Sequence, residues 1–449
     1  MTPSDPRFYV TLLEMLGSER SFAVATVVNV RGSASGKPGA KAIFDEHGHN
    51  LHGWVGGGCV ERFTGEQAVA AIAEGRPRLV VADLDDEVLG LGMPCGGVMD
   101  IYIEPVRPRP PLFVAGDGPS AKAVVTLGAR LGFRVVAHAP GLVDDWQDPM
   151  VSVRDAAYEV CDPPRGARMV VASRHRGDEA ALAAGLRADA SYLGLVANRT
   201  RAAATRARLA EVAAPERVAA IRAPAGLDLG GRRPVEIAMS VLAEILAEER
   251  GVDVDALERA AGAGPAACPS PGWSSPELVV VGHSRIAEAL ADLAAMLEWP
   301  ITLHAVAPAP HQRAGYPATV RWVSEDPGFQ RLPASPSTAV VVASHHKGDE
   351  RAIAAALGAG APYVGLVASA SRSRLIRERL PGSLADTPGV LRAPAGLAIG
   401  ARTPAEIALS IVVEILALLH GRSGRALTAL EELPARRGGP CLDAGVGER

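Results

Sequence analysis

Residues 111–121 read PLFVAGDGPSA: an apolar run that breaks at Gly116-Asp117-Gly118 and gives way to an Ala-rich stretch of helix formers. A short apolar run, a glycine turn and a helix are the parts of a strand–turn–helix unit, and G-x-G-x-x-A at that turn matches a phosphate-binding loop. One such match is weak, but the chain carries the unit twice. ELVVVGHS at 277–284 repeats PLFVAGDG, and SHHKGDERAI at 344–353 repeats SRHRGDEAAL at 173–182. YVGLVASASR at 363–372 repeats YLGLVANRTR at 192–201, and RAPAGLAIGARTPAEIALSIVVEIL at 392–416 repeats RAPAGLDLGGRRPVEIAMSVLAEIL at 222–246. Further apolar strands follow in each copy, RVVAHA and MVVAS in the first, ITLHAV and AVVVAS in the second. Strands alternating with helices predict a parallel, doubly wound sheet in each copy.

Outward from the repeat, residues 1–104 have no counterpart. FAVATVVNV, AKAIF, RLVVADL and VMDIYIEPV read as strands separated by glycine clusters, an α+β module. The proline-rich stretches at 104–111 and 262–276 can continue neither helix nor sheet and serve as linkers. The expected organisation is therefore a module at 1–104, repeats at 112–250 and 277–422, and a mobile tail at 423–449. Single-domain cores stop growing at roughly 250 residues, so a chain of 449 fits several domains.

The formal charge of −4, from 46 basic and 50 acidic side chains, gives no field that would draw nucleic acid or anionic lipid. Five scattered cysteines make no disulfide framework, and neither a signal peptide nor a long apolar run is visible, so a cytoplasmic protein is expected.

Two cysteines lie in glycine-rich surroundings: Gly56-Gly57-Gly58-Cys59-Val60-Glu61 and Met93-Pro94-Cys95-Gly96-Gly97. Both stretches read as loops. Glycines let the backbone approach a ligand, so Gly57, Gly58, Glu61, Gly96 and Gly97 are candidate cofactor contacts beside the two thiols. Each cysteine read alone is a small apolar plug, but two in the same context favour function. A dithiol, a metal or cofactor ligand and a sulfur carrier are all open. A structural zinc site is disfavoured because there is no C-x-x-C pair.

Gly116, Gly118 and Ser120 mark a phosphate site at a helix N-terminus. Nicotinamide dinucleotide binding also asks for an acid about 20 residues on, where this chain has Val136-Ala137-His138-Ala139, and the second copy has lost a glycine at Ser284. Binding is therefore expected in the first copy, and NAD(P) is disfavoured. His175 with Asp178, recurring as His346 with Asp349, reads equally as a general base with its carboxylate or as a helix cap. Thr403-Pro404-Ala405-Glu406 is a capping box.

These residues resemble the XdhC/CoxI family of accessory proteins for molybdenum hydroxylases. GGGCVE at 56–61 and GLGMPCGG at 90–97 are similar to its two N-terminal signatures, and APAGLAIGARTPAEIALSI at 393–411 to the C-terminal signature of its Rossmann-type domain. The resemblance implies a Cys-bearing α+β module followed here by two tandem Rossmann-like domains. It also implies a factor that binds molybdenum cofactor and assists its sulfuration and its insertion into a molybdenum hydroxylase. Cys59 and Cys95 stand on the family's cysteines and become the implied metal or sulfur contacts. A client hydroxylase and a cysteine desulfurase are the implied partners. The chain departs from the family in its duplicated Rossmann-type domain and in lacking the Asp-rich, Arg-containing turn after the second strand. An NAD(P)-dependent oxidoreductase using His175 or a cysteine, and a non-catalytic scaffold, are the rival readings, so whether the protein is an enzyme is left open. The two repeats are expected to pack as an intrachain pseudo-dimer with one competent cleft, in the first repeat.

Overall fold

The computed structural model describes residues 5–18, 20–32, 34–83, 97–108, 111–143, 146–252, 273, 276–305, 313–324, 328–344, 348–380 and 390–428. The chain divides into two compact units, Met1–Arg109 and Pro110–Arg449.

The first unit is a five-stranded antiparallel sheet. β1 (Phe22–Gly32) lies between β2 (Lys41–Asp45) and β5 (Gly97–Val106), with β3 (Asn50–Gly53) and β4 (Arg78–Asp83) at the edges. Alternation sends Ala23, Ala25 and Val27 to one face, where Val60, Ala68 and Ala71 of α2 (Gly58–Glu74) close the core with Met99. The other face holds Phe22 and Ile43 against Phe8 of α1 (Pro6–Gly17), whose start Asp5 caps through Arg7 N at 3.0 Å. The four expected strands are present. α1, β3 and α2 lie beyond those expected strands, and the glycine run that reads as a loop ends in a helix start.

The second unit holds both repeats. In the first, β6 (Leu112–Ala115), β7 (Val135–His138), β8 (Val151–Arg154), β9 (Arg168–Val171) and β10 (Tyr192–Leu195) are all parallel, in the order β10-β9-β6-β7-β8. In the second, β11 (Glu277–Val281) through β15 (Tyr363–Leu366) take the same order, and β16 (Val390–Arg392) adds a sixth strand beside β15. The first repeat reduces that sixth strand to a single bridge from Gly194 to Arg222. Each sheet therefore has the doubly wound 3-2-1-4-5 order, in which ligands bind beyond the strand carboxyl ends where the order reverses. Burial on both faces explains runs such as Leu278-Val279-Val280-Val281, which do not alternate.

The helices of the first repeat include α3 (Pro119–Arg130), α4 (Asp178–Arg187), α5 (Arg199–Leu209), α6 (Pro215–Ala219) and α7 (Pro234–Glu249). The second has α8 (Arg285–Met296), α9 (Asp349–Gly358), α10 (Ala370–Arg379) and α11 (Pro404–Leu419). α7 packs on α3, α11 on α8, and α7 meets α11, so Val241 and Ile245 share one core with Ile411 and Ile415. Loop contacts between the repeats are reciprocal. A Cβ on Gly230 would strike His420 and Arg422 at 2.6 and 2.7 Å; one on Gly400 would strike Arg250 and Val252 at 2.6 and 3.2 Å. His420 and Arg422 are the counterparts of Arg250 and Val252, so each repeat gives the other what it receives.

The capping box at Thr403 is formed: its hydroxyl accepts from Glu406 N, and Glu406 accepts from Thr403 N, both at 3.2 Å. The expectation of a mobile tail fails at its start. Asp228 N donates to Arg425 O at 2.6 Å, and Gly424 N and Leu427 N donate at 2.9 Å to Asp228 O and Gly226 O. Residues 424–427 are thus bonded to the first repeat, and 429–449 lie outside the described residues.

Candidate functional site

Cys59 is the second residue of α2, half-buried, and not in a loop. The helix starts there because Gly57 takes an extended N-cap conformation and Glu61 N returns to Gly57 O at 3.0 Å. Three glycines precede the thiol for two different reasons. A Cβ on Gly56 would meet Val60 at 2.9 Å, so packing requires that glycine. At Gly57 the nearest atom would be Ser35 Oγ at 3.9 Å, and at Gly58 nothing lies within 4 Å. Neither of these two has a left-handed backbone. The fold therefore does not need glycine at 57 or 58, and their bareness leaves a cradle over the first-turn N–H groups, which lack intrahelical partners.

The loop from Ala34 to Ala40 forms one wall of this site, a feature the cysteine motifs do not reveal. Ser35 Oγ accepts from Gly57 N at 3.0 Å, while Gly36 is pressed so tightly that a Cβ would meet Val55 O and Met99 Cε at 2.2 and 2.4 Å. Glu61 stands half-buried in the first turn of α2. Gly97, the last residue of the second motif, opens β5 and pairs with Gly32 at the end of β1. Cys95 and Gly96 lie outside the described residues, as do Cys268, Cys441 and His346. Among the described residues, no group of three or more His, Cys, Asp or Glu side chains is placed to hold a metal ion.

In the second unit, the glycine turn after β6 is shaped for close approach. Gly116 has φ of +151°, and a Cβ there would strike Ala172 O at 2.4 Å. Gly118 is the N-cap of α3 and has no side chain to bond back, while Ser120 sits half-buried in the helix's first turn. Asp117, between them, binds Arg174 at 3.0 Å and Arg176 at 2.8 Å. Burial raises its carboxyl, but the hydrogen bonds and charges of the two guanidiniums outweigh this and hold it below the ordinary carboxylate range.

The His175–Asp178 pair is not a dyad. Asp178 is buried, accepts from Ser173 Oγ and pairs with Arg201 at 3.4 Å, whereas His175 is exposed with φ of +73°. Asp178 opens α4 and ties it to β9 and α5; its counterpart Asp349 does the same with Ser344 and, at 2.8 Å, Arg372. At the end of β7, His138 is buried against Phe113 and Tyr158 with Nε2 3.0 Å from Ala157 O. An imidazole thus fills the strand end where a dinucleotide-binding fold carries a ribose-binding acid.

The second repeat closes its own turn. Ser284 caps α8 by accepting from Ala287 N at 3.2 Å, and Tyr316 donates to Ser284 O at 3.4 Å. Gly282 keeps the positive φ, +99°.

The XdhC Rossmann domain matches residues 112–245 and again 278–415, and the XdhC and CoxI family matches residues 15–83. YqeB of Escherichia coli (strain K12) is 32% identical over 235 residues, half of this chain and 43% of that protein. A Bacillus subtilis (strain 168) protein named as a probable xanthine dehydrogenase subunit is 22% identical over 341 residues, covering 55% of this chain and 99% of that one. The molybdenum cofactor insertion chaperone PaoD of Escherichia coli (strain K12) is 30% identical over 100 residues, 22% of this chain and 31% of PaoD. This chain thus spans less than half of YqeB and of PaoD. A crystal structure of a xanthine dehydrogenase from Bacillus halodurans, 21% identical, covers 54% of this chain and 96% of its own, with a TM-score of 0.30. The chain belongs to the XdhC and CoxI family, with the XdhC Rossmann domain present twice.

Proposed function

We propose that this protein is a maturation factor that binds molybdenum cofactor as cargo, assists its sulfuration and inserts it into a molybdenum hydroxylase. The observation that carries the reading is Cys59 in the first turn of α2, beside two glycines that neither backbone nor packing requires. The donor set suits the cargo: a soft sulfur for molybdenum or for the sulfur being transferred, with bare backbone N–H groups for its polar edge. The relatives named for xanthine dehydrogenase and for cofactor insertion support the same role.

Cys95 belongs to the same site in this reading, with Gly96 and Gly97 as further contacts. Gly97 pairs with Gly32, Gly32 precedes Ser35 by three residues, and Ser35 bonds Gly57, next but one to Cys59. Those three residues span at most roughly 10 Å. In the second unit, taken by itself, the Gly116–Gly118 turn offers α3 N–H groups without a side-chain cap, with Ser120 beside them, as a separate candidate contact for a phosphate group. His175 stays an exposed candidate near that turn. A molybdenum hydroxylase and a cysteine desulfurase are the proposed partners. The reciprocal contacts around Gly230 and Gly400 support the two repeats as a pseudo-twofold pair within the chain.

The test is molybdenum and pterin analysis of protein purified from a host that makes the cofactor, for wild type, Cys59→Ala and Cys95→Ala. Retained cofactor in the wild type and its loss in both variants, which stay folded, supports the reading. Wild-type protein free of molybdenum and pterin, or variants that still activate the hydroxylase fully, would end it.

A further inference from the structure

We propose that Ser35 is a positioning residue for Cys59; this rests on Cys59 being the working thiol. Glycine has the most backbone freedom to lose, so a Gly-Gly approach to a helix is poorly defined unless hydrogen bonds fix it. At Gly57 two such bonds are seen: Glu61 N to its carbonyl, which belongs to the helix itself, and its own N–H to Ser35 Oγ at 3.0 Å. Gly57 carries no side chain to make an N-cap bond, and its N–H is instead held from outside the helix by a residue 22 positions earlier. Ser35 can supply it because its own loop is fixed. Ala34 and Val55 are buried in the sheet–helix core, Gly36 has no room for a Cβ against Val55 O and Met99, and Lys37 Nζ reaches Ala34 O at 3.4 Å. Met99 belongs to β5, two residues beyond Gly97, so the loop that holds the Cys59 turn is itself wedged by the strand that the second cysteine motif opens.

The Ser35–Gly57 bond is exposed, so losing it leaves the fold intact and loosens the turn alone. The experiment compares wild type, Ser35→Ala and Ser35→Thr in the full chain. It reads Gly57 amide exchange by NMR and N-ethylmaleimide labelling of Cys59, with Cys161 as an internal reference. Burial pushes the Cys161 thiol up to about 12. Ser35→Ala should speed Gly57 exchange and change the Cys59 labelling rate by about five- to tenfold, the weight of one hydrogen bond, with Cys161 unmoved. Ser35→Thr, which keeps the acceptor, should return both to within about twofold of wild type. Unchanged exchange and labelling in Ser35→Ala, or failure of Ser35→Thr to restore them, would overturn the proposal. Neither readout involves the cofactor. If both behave as expected while Cys59→Ala still activates a hydroxylase, the proposed function falls and the positioning of Cys59 stands.

Discussion

The two repeats share a sheet order, a positive-φ glycine after the first strand and a buried Asp at the start of the fourth-strand helix, yet they finish their glycine turns in opposite ways. The first leaves α3 uncapped at Gly118 and gathers Arg174 and Arg176 around Asp117. The second spends the equivalent position on Ser284, whose hydroxyl takes a helix N–H for itself, and lays Tyr316 on the Ser284 carbonyl. A duplicated fold needs its turn twice, but only the second copy caps the following helix with a side chain. Whether a side chain caps the following helix is decided at a single position, Gly118 against Ser284.

The largest effects should be common to both copies. Gly116→Ala and Gly282→Ala each force a Cβ onto backbone at a left-handed position, and each should cost about 2–4 kcal/mol in urea unfolding. A large loss in one copy alone would break the equivalence of the turns. Gly118→Ser should then convert the first copy into the second. Its φ of −78° accepts serine, and Arg174 must shift because the new Cβ lies 3.0 Å from its Nε. Stability should change by a few tenths of a kcal/mol, while hydroxylase activation falls about tenfold. The mirror change, Ser284→Gly, should lower stability by a similar few tenths and leave activation untouched.

A subtler comparison uses a buried carboxyl that both copies retain. Glu244 accepts from Tyr192 at 2.6 Å and Gly226 N at 2.8 Å, and Glu414 accepts from Tyr363 at 2.6 Å and Gly396 N at 2.9 Å. Burial raises both carboxyls above the usual range despite these bonds. Their native states therefore bind protons more readily than the unfolded chain, and this contribution, full below the unfolded value, is lost as pH rises through the folded one. Glu244→Gln and Glu414→Gln, which keep the acceptor oxygen, should be more stable than wild type by about 1 kcal/mol at pH 8, with the gap closing toward pH 4. Melting curves at the two pH values check this; a gap that widens on acidification refutes it. A pH dependence of the opposite sign is expected for Asp117→Asn. The depressed Asp117 carboxyl stabilises above its unfolded value and loses that contribution as pH falls, so the variant should cost under about 1 kcal/mol at pH 7 and less in acid.

Much of this was legible in the chain itself. Fully apolar runs such as Val279-Val280-Val281 specify buried parallel strands, and the repeated APAG segments disclose the duplication. The first turn of α2 was hidden because three glycines in a row read as a loop and supply no capping side chain, while a restraint comes from Ser35, remote in sequence. His175 and Asp178 looked like partners by spacing, but the left-handed backbone at Arg174 and His175 turns the loop so that Asp178 meets Ser173 and Arg201 instead. Spacing along a chain fixes distance only where the backbone between is regular.

The hydrogen bonds that carry Arg425 and Leu427 back to Asp228 and Gly226 set an order of events in biosynthesis. The 226–228 segment leaves the ribosome about 200 residues before the 424–427 segment that completes it, and at 5–20 residues per second that interval is roughly 10–40 s. Throughout it the first repeat has one loop whose Asp228 N–H and Gly226 carbonyl still face water. The first repeat is therefore finished only by the last described residues of the second, and a nascent chain cannot present a completed first repeat before the second has been made.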